Sequence, residues 1–186
     1  MSIKPFFYIA LLSLCIGSRS YAVAIDYPVH SDKWTKKHDR HFKKYSKRYF
    51  GPLFDWHWFK AQGIAESGLE QDSKSHVGAS GIMQLMPGTH TEISDKNPHL
   101  IKANSPRWNI AAGIYYDRIL YRKFKKIPEQ EKMYLTLASY NAGYGRVLKA
   151  KKKVTSEETS WDEIRPYLPS QTRAYVDRIR KLMGNK

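Results

Sequence analysis

Residues 64–87 read IAESGLEQDSKSHVGASGIMQLMP. A carboxylate, Glu66, stands near the head of the stretch. Gly68, Gly78 and Gly81 punctuate it, and it closes on Met83-Gln84-Leu85-Met86-Pro87. Two readings compete. In the plain one a helix ends, a turn follows, and Glu66 is a solvated surface residue, the usual fate of a glutamate. In the sharper one the glycines fold a half-apolar loop back over a general acid that looks into a binding cleft. Glu66 would then sit in the last helical turn, where the negative end of the macrodipole disfavours a carboxylate. Ile64, Ala65 and the methionine-rich loop would desolvate it. Both effects raise a carboxyl pKa and keep a proton available at neutral pH, as a general acid requires.

The surroundings of this stretch are helical. Residues 55–67 read as the helix that carries Glu66, with Asp55 as N-cap, Phe54 and Phe59 in staple positions and Gly68 as the stop. Trp34, His38, Phe42, Tyr45 and Tyr49 recur at helical spacing. They predict a helix over 33–50, ended by Gly51-Pro52. Its aromatic stripe faces the core, and its lysines and arginines lie largely on the other face. A nucleobase-stacking surface is the alternative.

Further helices are expected over 87–93, 108–124, 129–142 and 171–183. A short one follows the capping box Ser160-Trp161-Asp162-Glu163 and is curtailed by Pro166. Residues 149–153 read as a solvated basic turn able to touch anionic wall polymers. Strand signals are sparse. The fold is expected to be mainly α, with at most a short β element near residues 82–86.

Residues 1–24 have the form of a secretory signal, with Lys4 ahead of the apolar run PFFYIALLSLCIG and small-residue cleavage positions ending at Ala24. That run is shorter than the roughly 20 apolar residues of a membrane span. An uncleaved anchor is the alternative. Residues 25–186 then form a single domain. The chain's only cysteine, Cys15, would leave with the leader, so packing alone must hold the fold.

The formal net charge is +15, and cleavage removes Lys4 and Arg19 but no acid. Such a field attracts polyanions. Export disfavours nucleic acid, which leaves anionic cell-envelope polymers and lipid surfaces. His38 and His41 lack an acid-bearing zinc motif, and Gly143-Tyr144-Gly145 lacks a preceding strand, so neither a metal nor a cofactor is expected.

Four blocks in order carry a resemblance. The first is Glu66-Ser67-Gly68, then Ser75, then Gly78-Ala79-Ser80-Gly81-Ile82-Met83-Gln84-Leu85-Met86-Pro87. The second is Asn109-Ile110-Ala111-Ala112-Gly113-Ile114-Tyr115-Tyr116. The third is Ala138-Ser139-Tyr140-Asn141-Ala142-Gly143-Tyr144-Gly145-Arg146-Val147. The fourth is Pro169-Ser170-Gln171-Thr172-Arg173-Ala174-Tyr175-Val176. Together they resemble the soluble lytic transglycosylases, peptidoglycan-cleaving enzymes with a lysozyme-like, goose-type helical domain. The chain departs from that pattern at Glu70-Gln71-Asp72, where Asn-Pro is common, and at His90 and Ser139, where alanine is usual. These departures bear on loop shape.

The resemblance implies roles. Glu66 protonates the oxygen between N-acetylmuramic acid and N-acetylglucosamine, then takes the proton of the muramoyl C6 hydroxyl as that hydroxyl closes on C1. Most glycosidases need a second carboxylate, but an intramolecular hydroxyl has a high effective concentration, and one carboxylate suffices. Ser75 hydrogen-bonds an acetamido group, Gln84 positions the sugar or orders the acid, and Met86 forms an apolar wall. Tyr140 donates to Glu66 or to the acetamido group, with Asn141 beside it, and Tyr175 closes the cleft. Tyr140 and Tyr175 also fit core packing.

Two alternatives to such an enzyme are a lysozyme-type hydrolase and a cationic wall-binding module with weak catalysis. The small size suits a cutter that opens the wall for a secretion, conjugation or phage apparatus, with general wall turnover the other role.

Overall fold

The computed structural model describes residues 26–100, 105–125, 127–154 and 160–184. The expected leader lies outside them. The described residues form eight α-helices: α1 (Asp39–Phe50), α2 (His57–Ser67), α3 (Pro87–Lys96), α4 (Pro106–Tyr121), α5 (Glu129–Ala142), α6 (Tyr144–Lys151), α7 (Trp161–Ile164) and α8 (Ser170–Leu182). Short 3-10 turns occupy Pro98–Leu100 and Arg165–Tyr167. No helix among the described residues is long and apolar enough to cross a membrane.

Helix α5 is the centre of the fold. Every side chain from Met133 to Ser139 is buried, so the helix is enclosed on all faces over that stretch. Helix α4 packs on α5 and α1, and α8 packs on α5 and α2. Phe42 and Tyr45 from α1, Ile110 and Ile114 from α4, and Val176 and Ile179 from α8 meet Leu135, Leu137 and Ala138 in one apolar core.

Local rules set most boundaries. Ser105 caps α4 by accepting from the Trp108 N–H, and Ser160 and Glu163 form a complete capping box on α7. At α2 the helix begins at His57, but Asp55 Oδ1 accepts the His57 N–H at 3.0 Å, and the Phe54 and Phe59 rings stack 5.6 Å apart. Gly68 ends α2 in the left-handed region, with φ 66°, and Gly143 ends α5 with φ 85°.

Two expectations are corrected. Helix α1 starts at Asp39, not Lys33. Residues 33–38 are successive turns that still carry Trp34 onto the core, its Nε1 donating to the Tyr27 carbonyl at 3.0 Å. A helix-like spacing of aromatics therefore continued beyond the helix itself. The basic stretch 149–153 is not simply a turn, because Lys149 to Lys151 form the last turn of α6. Val147 and Ala150 anchor that helix in the core, and its basic end complements the dipole.

Residues 82–86 form no strand. The loop between α2 and α3 holds isolated antiparallel bridges, Lys74 to Ser80 and Ser80 to Leu85, around a tight turn.

Candidate active site

The loop from Gly68 to Met86 is held over the end of α2 by side chains from three helices. On α4, buried Asn109 donates through Nδ2 to the Ser80 carbonyl at 3.0 Å and accepts the Met83 N–H on Oδ1 at 2.8 Å. On α2, the Ser67 hydroxyl donates to the Ile82 carbonyl at 2.9 Å. On α5, the Tyr140 hydroxyl donates to the Met83 carbonyl at 2.7 Å. Within the loop, Gln84 has φ 43°, and its amide donates to the carbonyls of Ser73 and Gly81 at 3.1 and 2.9 Å.

Two glycines make this closeness possible. Gly81 has φ 75°, and a Cβ there would lie 2.5 Å from Asn109 Nδ2. Gly113 on α4 faces Met83, whose Cβ and Cγ would stand 2.8 Å from an added Cβ. Any other residue at either position would push the loop off its supports.

Under this loop, Glu66, Ala79, Gln84, Leu85, Met86, Thr89, Tyr116 and Tyr140 line a niche. Its enclosed volume is about 30 Å³, room for a water molecule but not a sugar ring. A larger hollow, about 800 Å³, lies elsewhere between residues 50–55 and the start of α5, and its carboxylates Asp55 and Glu129 are exposed.

Glu66 is half-buried. Its Oε1 accepts the Tyr175 hydroxyl of α8 at 2.6 Å. Burial pushes its carboxyl up to about 8, against the lowering effect of the Tyr175 bond. At neutral pH Glu66 therefore holds its proton. Tyr140 and Tyr175 are both pushed well above 10, first by burial and then by nearby acids, Glu66 among them. Both phenols remain neutral donors.

Of the residues singled out in the sequence, Glu66, Gln84, Met86 and Tyr140 line the niche, and Tyr175 joins them through Glu66. Tyr140 does not donate to Glu66, because its hydroxyl is engaged by the Met83 carbonyl. Ser75 and Asn141 lie outside the lining. The Ser75 hydroxyl accepts the Ala79 N–H at 2.9 Å and braces the loop. Asn141 is buried, and its Oδ1 accepts the Thr172 hydroxyl at 2.9 Å, tying α5 to α8.

Tyr116, Thr89 and the buried pair Gln62 and Asp117 were not singled out. Tyr116 closes the block Asn109 to Tyr116. Asp117 falls on the same helical stripe as Ile110 and Ile114, and a carboxylate at a core position was the available signal. Among the described residues no cluster of histidine, cysteine and acidic side chains could hold a metal ion.

The described residues thus form a helical domain with a raised glutamate beneath a glycine-bent loop. A family model described as the transglycosylase SLT domain matches residues 54–162, and the chain belongs to that family. Similar relatives include membrane-bound lytic murein transglycosylase F of Vibrio vulnificus, 29% identical over 89% of this chain and 32% of its own length. The Shewanella sediminis protein of the same name is 32% identical over 74% of this chain and 28% of its own length.

Among solved structures, an inactive glutamate-to-glutamine mutant of the lytic transglycosylase Slt from Pseudomonas aeruginosa superposes with TM-score 0.68 at 27% identity, over 81% of this chain and 24% of that one. The 70 kDa soluble lytic transglycosylase of Escherichia coli gives TM-score 0.63 at 28% identity, over 80% of this chain and 25% of that one. A complex of a 70 kDa soluble lytic transglycosylase with bulgecin A is also similar, with TM-score 0.62 at 26% identity over 81% of this chain and 25% of that one. This chain thus spans about a third of the length of those relatives and about a quarter of those solved chains.

Proposed function

We propose that this chain is a peptidoglycan lytic transglycosylase. It cleaves the β-1,4 bond between N-acetylmuramic acid and N-acetylglucosamine and leaves a 1,6-anhydromuramoyl end. The observation that carries the reading is Glu66, a carboxyl raised to about 8 by burial and, among the described residues, the one acid lining the niche. It gives its proton to the glycosidic oxygen as the C1–O bond breaks. The resulting carboxylate takes the proton of the C6 hydroxyl as that oxygen bonds to C1. Protons and bonds balance with no water consumed, and Glu66 ends as it began.

Tyr175 orients the Glu66 carboxyl. Met86 offers an apolar wall to the sugar face, and Gln84 and Tyr140 hold the loop that shapes the cleft, leaving Tyr140's ring edge beside Tyr116 for packing. Ser75 and Asn141 act through the loop and the α5–α8 contact rather than by lining the niche.

Export to the periplasm or cell wall follows from the substrate and from the leader-like residues 1–24. A basic face supports a second contact, with anionic envelope polymers. Arg40, His41, Lys44 and Arg107 line a groove of about 330 Å³, and Lys44, Arg48 and Arg107 join the lining of a neighbouring one of about 270 Å³. Among the described residues no carboxylate lines either groove. His41 is held below its ordinary pKa by burial and then by Arg40, Arg107 and Lys44, whose charges converge there.

The test is to digest purified murein and weigh the fragments. Anhydro products are expected. Fragments one water heavier would make the protein a hydrolase, and wall binding without turnover would make it a binding module. The Glu66→Gln variant should bind murein and not cut it.

A further inference from the structure

Asp117 of α4 and Gln62 of α2 are both fully buried, at 0% exposure. Gln62 lies one turn before Glu66 on the same helix face, and Asp117 follows Tyr116, which lines the niche. The pair therefore forms the layer directly behind the proposed acid. Gln62 Nε2 donates to Asp117 Oδ1 at 3.3 Å. The other two polar atoms, Asp117 Oδ2 and Gln62 Oε1, are buried without a hydrogen-bond partner. Each is bonded to the same carbon as an atom of the 3.3 Å contact.

Both orphans are acceptors, so an ionised Asp117 could not relieve either one. A buried unpaired charge is among the costliest arrangements a core can hold. One proton on Oδ2 changes this, because it removes the charge and turns one orphan into a donor for the other.

We propose that Asp117 is a neutral carboxylic acid joined to Gln62 by two hydrogen bonds, Nε2–H to Oδ1 and Oδ2–H to Oε1, and that this buried acid–amide pair is the positioning element for Glu66. The proposal rests on Glu66 being the catalytic acid. The pair clamps α2 to α4 one turn below the reacting carboxyl and keeps a second negative charge away from it. The titratable groups that act on or feel Asp117 are Glu66 on α2, Tyr140 on α5, Tyr175 on α8 and the adjacent Tyr116. None is cationic. Burial favours the protonated form of Asp117 over the lowering effect of the Gln62 bond, and Glu66 adds to this whenever it is ionised.

The first test is spectroscopic and independent of activity. Infrared spectra of E66Q and of E66Q/D117N at neutral pH should differ by the carbonyl band of one protonated carboxyl. Identical spectra in that region would mean Asp117 is ionised, and the proposal falls. The second is kinetic. D117L and Q62L should each lose kcat by about tenfold or more with little change in KM, as expected when a catalytic group is misplaced.

D117N can form the same two bonds. It should regain the turnover that D117L loses and keep the basic limb of the pH–rate profile where the wild type has it. A limb displaced to lower pH in D117N would reveal a charge on Asp117 and overturn the neutral pair. Full kcat in both D117L and Q62L would overturn the positioning role. Retained turnover in E66Q would instead refute the reading of Glu66, while the infrared comparison would still report on Asp117.

Discussion

The Tyr175 hydroxyl donates to Glu66 Oε1 across 2.6 Å, joining residues 109 positions apart in the chain. Helix α8 supplies this contact, and Arg178, one turn further along, donates to the Ala65 carbonyl at 3.2 Å. The carboxyl is thus fixed from a second helix rather than by its own.

Removing that hydroxyl should show in the pH profile. Tyr175 lowers the Glu66 pKa while burial raises it, so Tyr175→Phe leaves burial unopposed and moves the basic limb of activity upward from about 8. A hydrogen bond to a charged group contributes about 1.5–3 kcal/mol, so kcat should fall roughly ten- to a hundredfold if the bond strengthens as Glu66 ionises. A Tyr175→Phe enzyme with an unmoved limb would show that the contact does not tune the acid.

Glu66 should also weaken the fold at working pH. Its folded pKa, about 8, lies above its ordinary 4.5. The native state therefore holds a proton that the unfolded chain releases. The associated stability is fully present below pH 4.5, falls as pH rises, and is lost above about 8. Glu66→Gln has no such dependence. Its melting temperature should exceed the wild type's by a margin that grows across that window and then levels off. Parallel melting curves at every pH would contradict the raised carboxyl.

Much of the fold was legible because its signals are local. The Ser160 capping box, the stops at Gly68 and Gly143 and the extent of α5 need only neighbours in sequence. The start of α1 was misplaced because Trp34 and His38 serve the core from turns, and spacing alone cannot separate a helix from turns that follow it. Glu66 could be singled out because it heads the first of the four blocks that carry the resemblance, with Ile64, Ala65 and the methionine-rich loop as the physical ground for a raised carboxyl. Its partner could not. Tyr140 and Tyr175 are both tyrosines on core-facing stripes, and only the lie of α8 against α2 decides which one reaches the carboxyl. The Gln62–Asp117 pair likewise depends on α2 and α4 meeting, although two polar residues at core positions hinted at it.

The loop over Glu66 should depend on Asn109 more than on any bond within the loop. Asn109→Ala leaves the Met83 N–H without its partner, while the Ser80 carbonyl keeps the Leu85 N–H at 3.0 Å. A buried unpaired group costs about 1–3 kcal/mol, so denaturant melts should show a loss of about that size. Turnover should fall further than the folded fraction does, because the niche loses its lid. Asn109→Asp keeps the acceptor for Met83 but loses the donor to Ser80, and it should fall between the two. Wild-type turnover by folded Asn109→Ala would separate loop anchoring from catalysis.

The basic grooves should act on wall attachment and not on bond cleavage. Arg107 is already set for an anion: its Nε donates to the Tyr45 hydroxyl at 3.0 Å, and its guanidinium lies 4.4 Å from the centre of the Trp108 ring. Among the described residues neither groove shares a lining residue with the Glu66 niche. Charge reversal at Arg40 and Lys44 should therefore lower retention on murein that carries anionic polymers and flatten its salt dependence, since exposed charges are screened within about 10 Å at 0.1 M salt. Turnover of a short uncharged glycan should be unchanged. Equal retention by variant and wild type across a salt series would reduce the grooves to a solubilising surface.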